Sequence, residues 1–407
     1  MSRRVAIVTG AAGFLGAHLC RSLARAGAEL RVLVRPTDGL AGLDGLRLMA
    51  VHGDVRSAAD LDALFAGVAD GADVTVYHLA SRITIESRVT PSVREVNVEG
   101  TREVIGACLR NGARRLVYVS SVHAIPEPDP GAGEDGGDDG EPVIVEPDHF
   151  DPELVVGGYA KTKAEATQLV LDANGAAVGK HGGALETVVV MPSGIVGPGD
   201  VGGGYLTALV RDLAKGSLTS HVDGGYDFVD VRDVADGIIA AGTDGVPGRP
   251  YTLTARRMEM DEIVRVSRAA RGRRTLKSVL PMWFARTVAP IAEAAYKMVR
   301  KPPIFTPYAL HTLAAEGRFS TGAARRDLGW DPRDPADSLR DMVHWLDGRG
   351  AGATRRKASS RPAPSRRPCR TCRSHRSPRP RPRAGRGGAW SARGGRRPWR
   401  RRCRCAR

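Results

Sequence analysis

The feature that most limits what this chain can fold into is the run Thr9-Gly10-Ala11-Ala12-Gly13-Phe14-Leu15-Gly16. It follows a short β-branched segment, Val5–Val8, and opens a stretch of helical periodicity, Phe14–Ala26. Glycines at three-residue spacing between a strand and a helix let the backbone turn tightly and approach an anion. The helix start then presents unpaired N–H groups to it. A pyrophosphate-bearing dinucleotide suits this arrangement, with Gly10, Ala12, Gly13, Phe14, Leu15 and Gly16 as its contacts.

The rhythm that follows agrees. Leu30–Val34, Arg47–Val51, Val74–Leu79 and Arg115–Ser120 read as strands, with a helix over Ser92–Arg110 among them. Such alternation predicts an α/β fold, a Rossmann-type doubly wound parallel sheet. Glu127–Asp151, rich in Asp, Glu, Gly and Pro, interrupts it as a solvated loop. Helix resumes at Tyr159–Leu171, and Thr187–Met191 is another buried strand. After Gly197 the pattern turns to short strands and helices, the latter over Met260–Arg271, Met282–Val299, Pro307–Ala315 and Pro335–Leu346. The expected body is therefore residues 1–350: a dinucleotide-binding core over about 1–196 and a smaller C-terminal substrate-binding lobe mainly over 197–350.

Charge divides the chain once more. Residues 351–407 hold 21 Lys and Arg and no Asp or Glu, so of the whole chain's net +16 the first 350 residues carry −5. The body gives no reason to expect a specific nucleic-acid partner. The tail has too few aliphatic residues to bury a core, which predicts disorder. It reads either as a polybasic arm or as Arg-rich coding sequence translated out of frame. Cys369-x-x-Cys372 and Cys403-x-Cys405 are too far apart, and too poor in apolar neighbours, to make a zinc site, so no metal is expected. The body's isolated Cys20 and Cys108 fit a reducing, cytoplasmic compartment. No uninterrupted apolar run is long enough to span a bilayer. Met282–Val299, broken by Arg286, Glu293 and Lys297, reads as an amphipathic helix packed on the body, with a membrane-surface role as the alternative. A homodimer stays open.

The chemistry concentrates at Tyr159-Ala160-Lys161-Thr162-Lys163. Residues four apart share a helical face, so Tyr159 and Lys163 point into one space and Lys161 does not. A phenol ordinarily titrates near pH ~10, too high for easy proton exchange at neutrality, and a nearby ammonium lowers that value. The pair is not expected by chance: the chain uses 53 Arg and 8 Lys, with no Lys before Lys161. Upstream, Val117–Ser121 is a strand ending in two serines, placed to donate to a substrate carbonyl. Arg35, at the end of the second strand, stands where an acidic residue would hold a ribose 2′-OH. A guanidinium matches a 2′-phosphate instead, which favours NADP, while Asp38 keeps NAD open.

Taken together, TGAAGFLG, VHGDVR, YHLAS, VNVEGT, VYVSS, YAKTK, PSGIVGPGD and FVDVRDVA resemble the extended short-chain dehydrogenase/reductase superfamily. The likeness runs from Arg3 to about Leu346. The similar branch holds dihydroflavonol 4-reductase-like and 3β-hydroxysteroid dehydrogenase-like enzymes. The resemblance implies that Asp54 and Val55 contact the adenine, and that His78, Leu79 and Ala80 line the cofactor. It implies that Asn97 holds Lys163 through a water-linked relay, that Ser121 rather than Ser120 orients the substrate oxygen, and that Pro192 and Ser193 pass along the nicotinamide. Met191 departs from the branch, which often has Arg there. Ser121-Val122-His123 is not the Thr-Asp-Glu of sugar dehydratases, and Pro192-Ser193 lacks the Asn of many sugar epimerases. His123 lies near the site and could touch substrate.

The function expected is an NAD(P)-dependent oxidoreductase acting on a small-molecule carbonyl or alcohol. Its alternatives are a nucleotide-sugar epimerase with retained NAD and a non-catalytic dinucleotide-sensing protein. The latter commonly lacks the Tyr or the Lys that this chain has.

Overall fold

The computed structural model describes residues 3–84, 88–126, 134–135, 142–179, 183–276, 278–289, 306–314 and 318–359, with side chains as far as 348. Its frame is a seven-stranded parallel sheet. Five strands come from the first third of the chain: β1 (Arg4–Thr9), β2 (Glu29–Val34), β3 (Leu48–His52), β4 (Asp73–His78) and β5 (Arg115–Val119). A short hairpin, β6 (Glu134–Asp135) with β7 (Pro142–Val143), lies in the segment expected to be loop. Then come β8 (Glu186–Pro192), β9 (Gly194–Val196), β10 (His221–Val222), β11 (Gly225–Asp230), β12 (Arg249–Leu253), β13 (Arg256–Glu259) and β14 (Val279–Leu280).

The order across the sheet is β12-β8-β5-β4-β1-β2-β3. β1 is the hinge of this order: it pairs with β2 on one side and with β4 on the other. A crevice must open where the connections part to opposite faces, at the strands' C-terminal ends. β1, β2, β4 and β5 are buried along nearly every residue, as parallel strands covered on both faces must be.

The covering helices divide by face. On one side α1 (Phe14–Arg25) packs with α7 (Val231–Thr243), Leu19, Cys20 and Leu23 sharing a core with Val234, Ile238 and Ala241. On the other, α2 (Ala58–Ala63), α4 (Gly100–Asn111) and α5 (Gly158–Asp172) cover Val5, Ile7, Val74 and Leu116. α3 (Pro91–Arg94) runs into α4 through a π-helical turn, Glu95–Glu99.

The remaining elements make a third core. The small sheet β13-β11-β9 packs with α6 (Tyr205–Lys215), α8 (Met260–Ala269), α9 (residues 282–289), α10 (Pro307–Ala314) and the start of α12 (Pro335–Ser359). α11 (Gly322–Leu328) joins β12 and α7 instead. The main sheet thus takes its seventh strand from beyond Gly197.

In α9, Ala285 and Ala289 are buried in that third core while Trp283 is 70% exposed. The rest of the amphipathic segment expected over Met282–Val299 lies outside the described residues. So does the Arg/Pro-rich stretch from residue 360 on, α12 itself ending at Ser359. Among the described residues no helix is long and apolar enough to cross a membrane. Cys20 and Cys108 are free and buried, their thiols pushed up to about 12 by desolvation.

The glycine loop is held by contact of backbone on backbone. Gly10 takes φ +74°, a region that suits glycine. A Cβ on Gly16 would stand 2.2 Å from the Gly10 carbonyl oxygen and 2.8 Å from Ala11 Cα, where no side chain can swing aside. Gly16→Ala is therefore expected to cost about 1–3 kcal/mol of stability and to abolish dinucleotide binding. A thermal melt and a cofactor titration check this; an unchanged variant would mean that the loop has room the geometry denies it.

Candidate active site

At the C-terminal ends of β1, β2, β4, β5 and β8 lies a cleft of about 2220 Å³. A typical small-molecule pocket holds ~300–1,000 Å³, so this one has room for a dinucleotide and a second ligand. Gly10, Ala12, Gly13, Phe14, Leu15, Gly16, Arg35, Asp54, Val55, Leu79, Ala80, Pro192 and Ser193 all open onto it, with Ser121, Tyr159 and Lys163. Asn97 and His78 do not.

The dinucleotide end begins at the loop. Gly13 N donates to Gly10 O at 3.1 Å, closing a tight turn. Gly13 caps α1 with no side-chain bond, and the first turn of α1 carries no acidic residue. The helix start therefore offers its amides to the cleft with no carboxylate to compete, which fits a pyrophosphate. Arg35 is 71% exposed at the rim, and Asp38 Oδ1 accepts from its Nε at 3.1 Å and its Nη2 at 2.7 Å. The carboxylate of Asp54 faces Arg56, which bonds it through Nε and Nη2 and holds it below the usual carboxylate range.

His78 corrects its expected place. It is fully buried, its Nδ1 2.7 Å from Thr9 Oγ1 and its Nε2 3.0 Å from Thr101 Oγ1. It ties β1, β4 and α4 together, and burial drives it down to about 3, so it is neutral. Only Leu79 and Ala80, one step past the strand, reach the cleft.

The reacting end is built by α5 docking on β5. Lys163 is 2% exposed. Its Nζ donates to Val119 O at 2.8 Å and to Tyr118 OH at 3.2 Å, and lies 6.0 Å from the Tyr159 ring centroid. An ammonium has three hydrogens, so one remains for the cleft. Burial lowers Lys163 to about 7 and raises Tyr159, 8% exposed, to about 12; the Ser81 hydroxyl pulls the phenol partly back.

The two serines differ. Thr167 Oγ1 donates to Lys163 O at 2.7 Å, so the 2.6 Å contact between Ser120 and Thr167 has Ser120 as donor. Ser121 Oγ instead accepts from His123 N at 3.3 Å and keeps its own hydrogen for the cleft. The ring of His123 stands edge-on to Tyr159 at 6.4 Å and, half-buried, is pushed down to about 4 by desolvation.

Asn97 sits in the π-helical turn. Its Oδ1 accepts from Ser81 Oγ at 3.1 Å and Arg82 N at 2.7 Å, and its Nδ2 donates to Thr162 Oγ1 at 3.1 Å and Arg82 O at 3.2 Å. It pins the loop after β4 to α5 and makes no direct bond to Lys163. Tyr118, Ser81 and Thr162 were missed in sequence. Tyr118 carried a signal, a polar-tipped ring amid valines on a strand that ends in the two serines; the other two carried none. No cluster of His, Cys, Asp and Glu fit to hold a metal occurs among the described residues.

Residues 6–253 match the model of the NAD dependent epimerase/dehydratase family. Sterol demethylase protein B of Methylococcus capsulatus is 28% identical over 347 residues, covering 84% of this chain and 98% of that one. Human 3 beta-hydroxysteroid dehydrogenase type 7 is 30% identical over 359 residues, covering 81% and 91%. Among solved structures, gox2253 superposes with a TM-score of 0.68 at 27% identity, covering 86% and 99%.

The buried Lys163 has a measurable cost. Between about pH 7 and the ordinary 10.5 the unfolded chain holds a proton that the folded chain lacks. Stability of the cofactor-free protein should therefore rise with pH through that window, and the full penalty is present below pH 7. Lys163→Met removes it. The variant should melt several degrees above wild type at pH 6, with the gap closing toward pH 10, although its turnover falls. Melting curves across pH check this; a variant less stable than wild type at pH 6 would show that the ammonium is well paid for by its two bonds.

Proposed function

The chain belongs to the NAD dependent epimerase/dehydratase family of the extended short-chain dehydrogenase/reductase superfamily, and from that premise we propose that it interconverts a carbonyl and an alcohol on a small organic substrate, with Tyr159, Lys163 and Ser121 as its catalytic residues. The observation that carries this reading is that those three groups all line the cleft, and that of the two serines only Ser121 keeps its hydrogen for it, Ser120 giving its own to Thr167.

Bound along the glycine loop, the dinucleotide would supply or take up the hydride and, when oxidised, would add positive charge beside Tyr159. Ser121 donates its hydrogen to the substrate oxygen and fixes its position. Tyr159 gives its proton to that oxygen in reduction and takes it back in oxidation. A phenol held at about 12 needs positive charge nearby to release its proton, and the Lys163 ammonium supplies part of it. Asn97, through Ser81 and Thr162, keeps the loop after β4 and the helix bearing Tyr159 in register.

The preferred cofactor in this reading is NADP. The Arg35 guanidinium has five N–H groups; Asp38 engages Nε and one from Nη2, and orients the rest at the rim. The apolar walls of the cleft, among them Ile83, Ile125 and Val155, support a largely apolar substrate. The names of two relatives refer to sterols or steroids.

Tyr159→Phe removes one hydroxyl and leaves the ring to pack, so folding and cofactor binding should survive while turnover of a ketone falls by roughly 10²–10⁴. Near-full activity in that variant would defeat the assignment of Tyr159 as the proton donor. Cofactor choice is checked by titration: NADPH should bind more tightly than NADH, and Arg35→Asp should reverse the order. Protein that emerges from purification with NAD tightly retained would instead favour the epimerase.

A further inference from the structure

The chemistry above gives no part to one polar side chain of the cleft wall. His123 lines the cleft two residues after Ser121. Neither nitrogen of its ring has a hydrogen-bond partner among the described residues, and neither is closed to solvent. Its bond to the catalytic serine is made by the backbone, whose N–H donates to Ser121 Oγ. Other polar atoms of the wall are out of a ligand's reach. Asp227 Oδ1, on β11, and Ser193 Oγ, just past β8, are closed to solvent.

The fold aims this ring. Val122–Ala124 is a single helical turn after β5. Val122 and Ala124 are both buried, so the turn is anchored on either side of the residue that faces the cleft. The ring lies between two tyrosines, edge-on to Tyr159 at 6.4 Å and tilted against Tyr308, on α10, at 5.9 Å. Gly157, at the start of α5 with φ +100°, admits Tyr308: a Cβ there would stand 2.3 Å from Tyr308 Cε2. The imidazole is thus set between the helix that carries Tyr159 and the C-terminal lobe. Desolvation, with the neighbouring His311 acting in the same direction, lowers it to about 4, so it is neutral at ordinary pH. A neutral imidazole has one N–H donor and one lone-pair acceptor.

We propose that His123 is a specificity-determining residue whose ring binds a hydroxyl on the second carbon from the reacting one, so that the substrate is a β-hydroxyketone or the corresponding diol. A hydroxyl answers whichever nitrogen faces it, donating to the lone pair or accepting from the N–H. The reach follows from the order of groups along the wall. Ser121 and Tyr159 hold the reacting oxygen by bonds of ~2.7–3.0 Å. An oxygen on the adjacent carbon stays within their span; one carbon further it clears them and comes up against the imidazole. A ketone without that oxygen covers the ring and leaves a nitrogen unpaired that water had served, which costs affinity. The inference rests on the oxidoreductase reading for the reacting oxygen.

The test compares two pairs of ketones: isovalerophenone with its β-hydroxy derivative, and isobutyrophenone with its α-hydroxy derivative. Both hydroxyls are tertiary, so an oxidised cofactor finds no hydride to take. Binding is read by calorimetry on protein saturated with oxidised NADP or NAD, whichever it holds more tightly. The β-hydroxyketone should bind about tenfold more tightly than its parent, the worth of one well-placed hydrogen bond. The α-pair should show no preference that depends on His123. His123→Phe keeps an aromatic ring between the two tyrosines and should bring the β-pair to one affinity. The parent should bind as well as before or better, which also shows that the variant is folded. His123→Leu should act alike and stands in if the larger ring does not fit. Equal affinity within the β-pair in wild type would overturn the proposal. So would a preference that survives both substitutions, or failure of all four ketones to bind. Turnover with the reduced cofactor is measured separately: a β-hydroxyketone bound selectively through His123 but never reduced would leave the contact standing and defeat the oxidoreductase reading instead.

Discussion

The reacting end of this molecule depends on one buried ammonium. Lys163 lies in the interior with no carboxylate beside it, held by the last carbonyl of β5 and by a tyrosine hydroxyl. Desolvation works against its charge, and two neutral acceptors offset only part of that. The ammonium can stay only if α5 is pressed firmly on β5, and the surrounding bonds do this. Thr167 back-bonds to Lys163 O and receives Ser120 from the strand end. Asn97 bonds Thr162 from the facing π-helical turn. The same helix then has no freedom left in where it puts Tyr159.

That dependence explains what was legible in the sequence and what was not. The glycine run, the Tyr-x-x-x-Lys spacing and the strands through β5 are local signals, since a tight turn or a helical face is decided within a few residues. Helix starts and strand cores accordingly fell within a residue or two. β9, β12 and β13 are three to five residues long and exist because of the strands they pair with. Nothing within such a segment announces it. The π-helical turn at Asn97 is equally silent, for its extra residue per turn answers to the contacts with Ser81, Arg82 and Thr162.

His78 is the instructive error. The resemblance implied that it lines the cofactor at the strand's C-terminal end. Successive strand residues face opposite ways, however, and a ring with two nitrogens satisfies two buried threonines at once. The motif's histidine is part of the frame, and the small residues after it are what the cleft sees. The reverse holds for Asp227. Within the motif around Phe228 it reads as one more acidic residue near a strand, and only the fold reveals that it stands in the cleft wall with an unmatched acceptor.

Lys163 and Asp227 are thus two forms of one arrangement. Each is an ionisable group kept where its charge is disfavoured. Packed interiors satisfy nearly all their polar groups. The two differ in how they are supported. Lys163 keeps two hydrogen bonds and directs its remaining N–H outward, as suits a group that must act on a neighbouring phenol without moving. Asp227 Oδ1 keeps none. That oxygen is already closed to water, so the cost of its desolvation is borne by the fold itself and shows as a carboxyl pushed up to about 6.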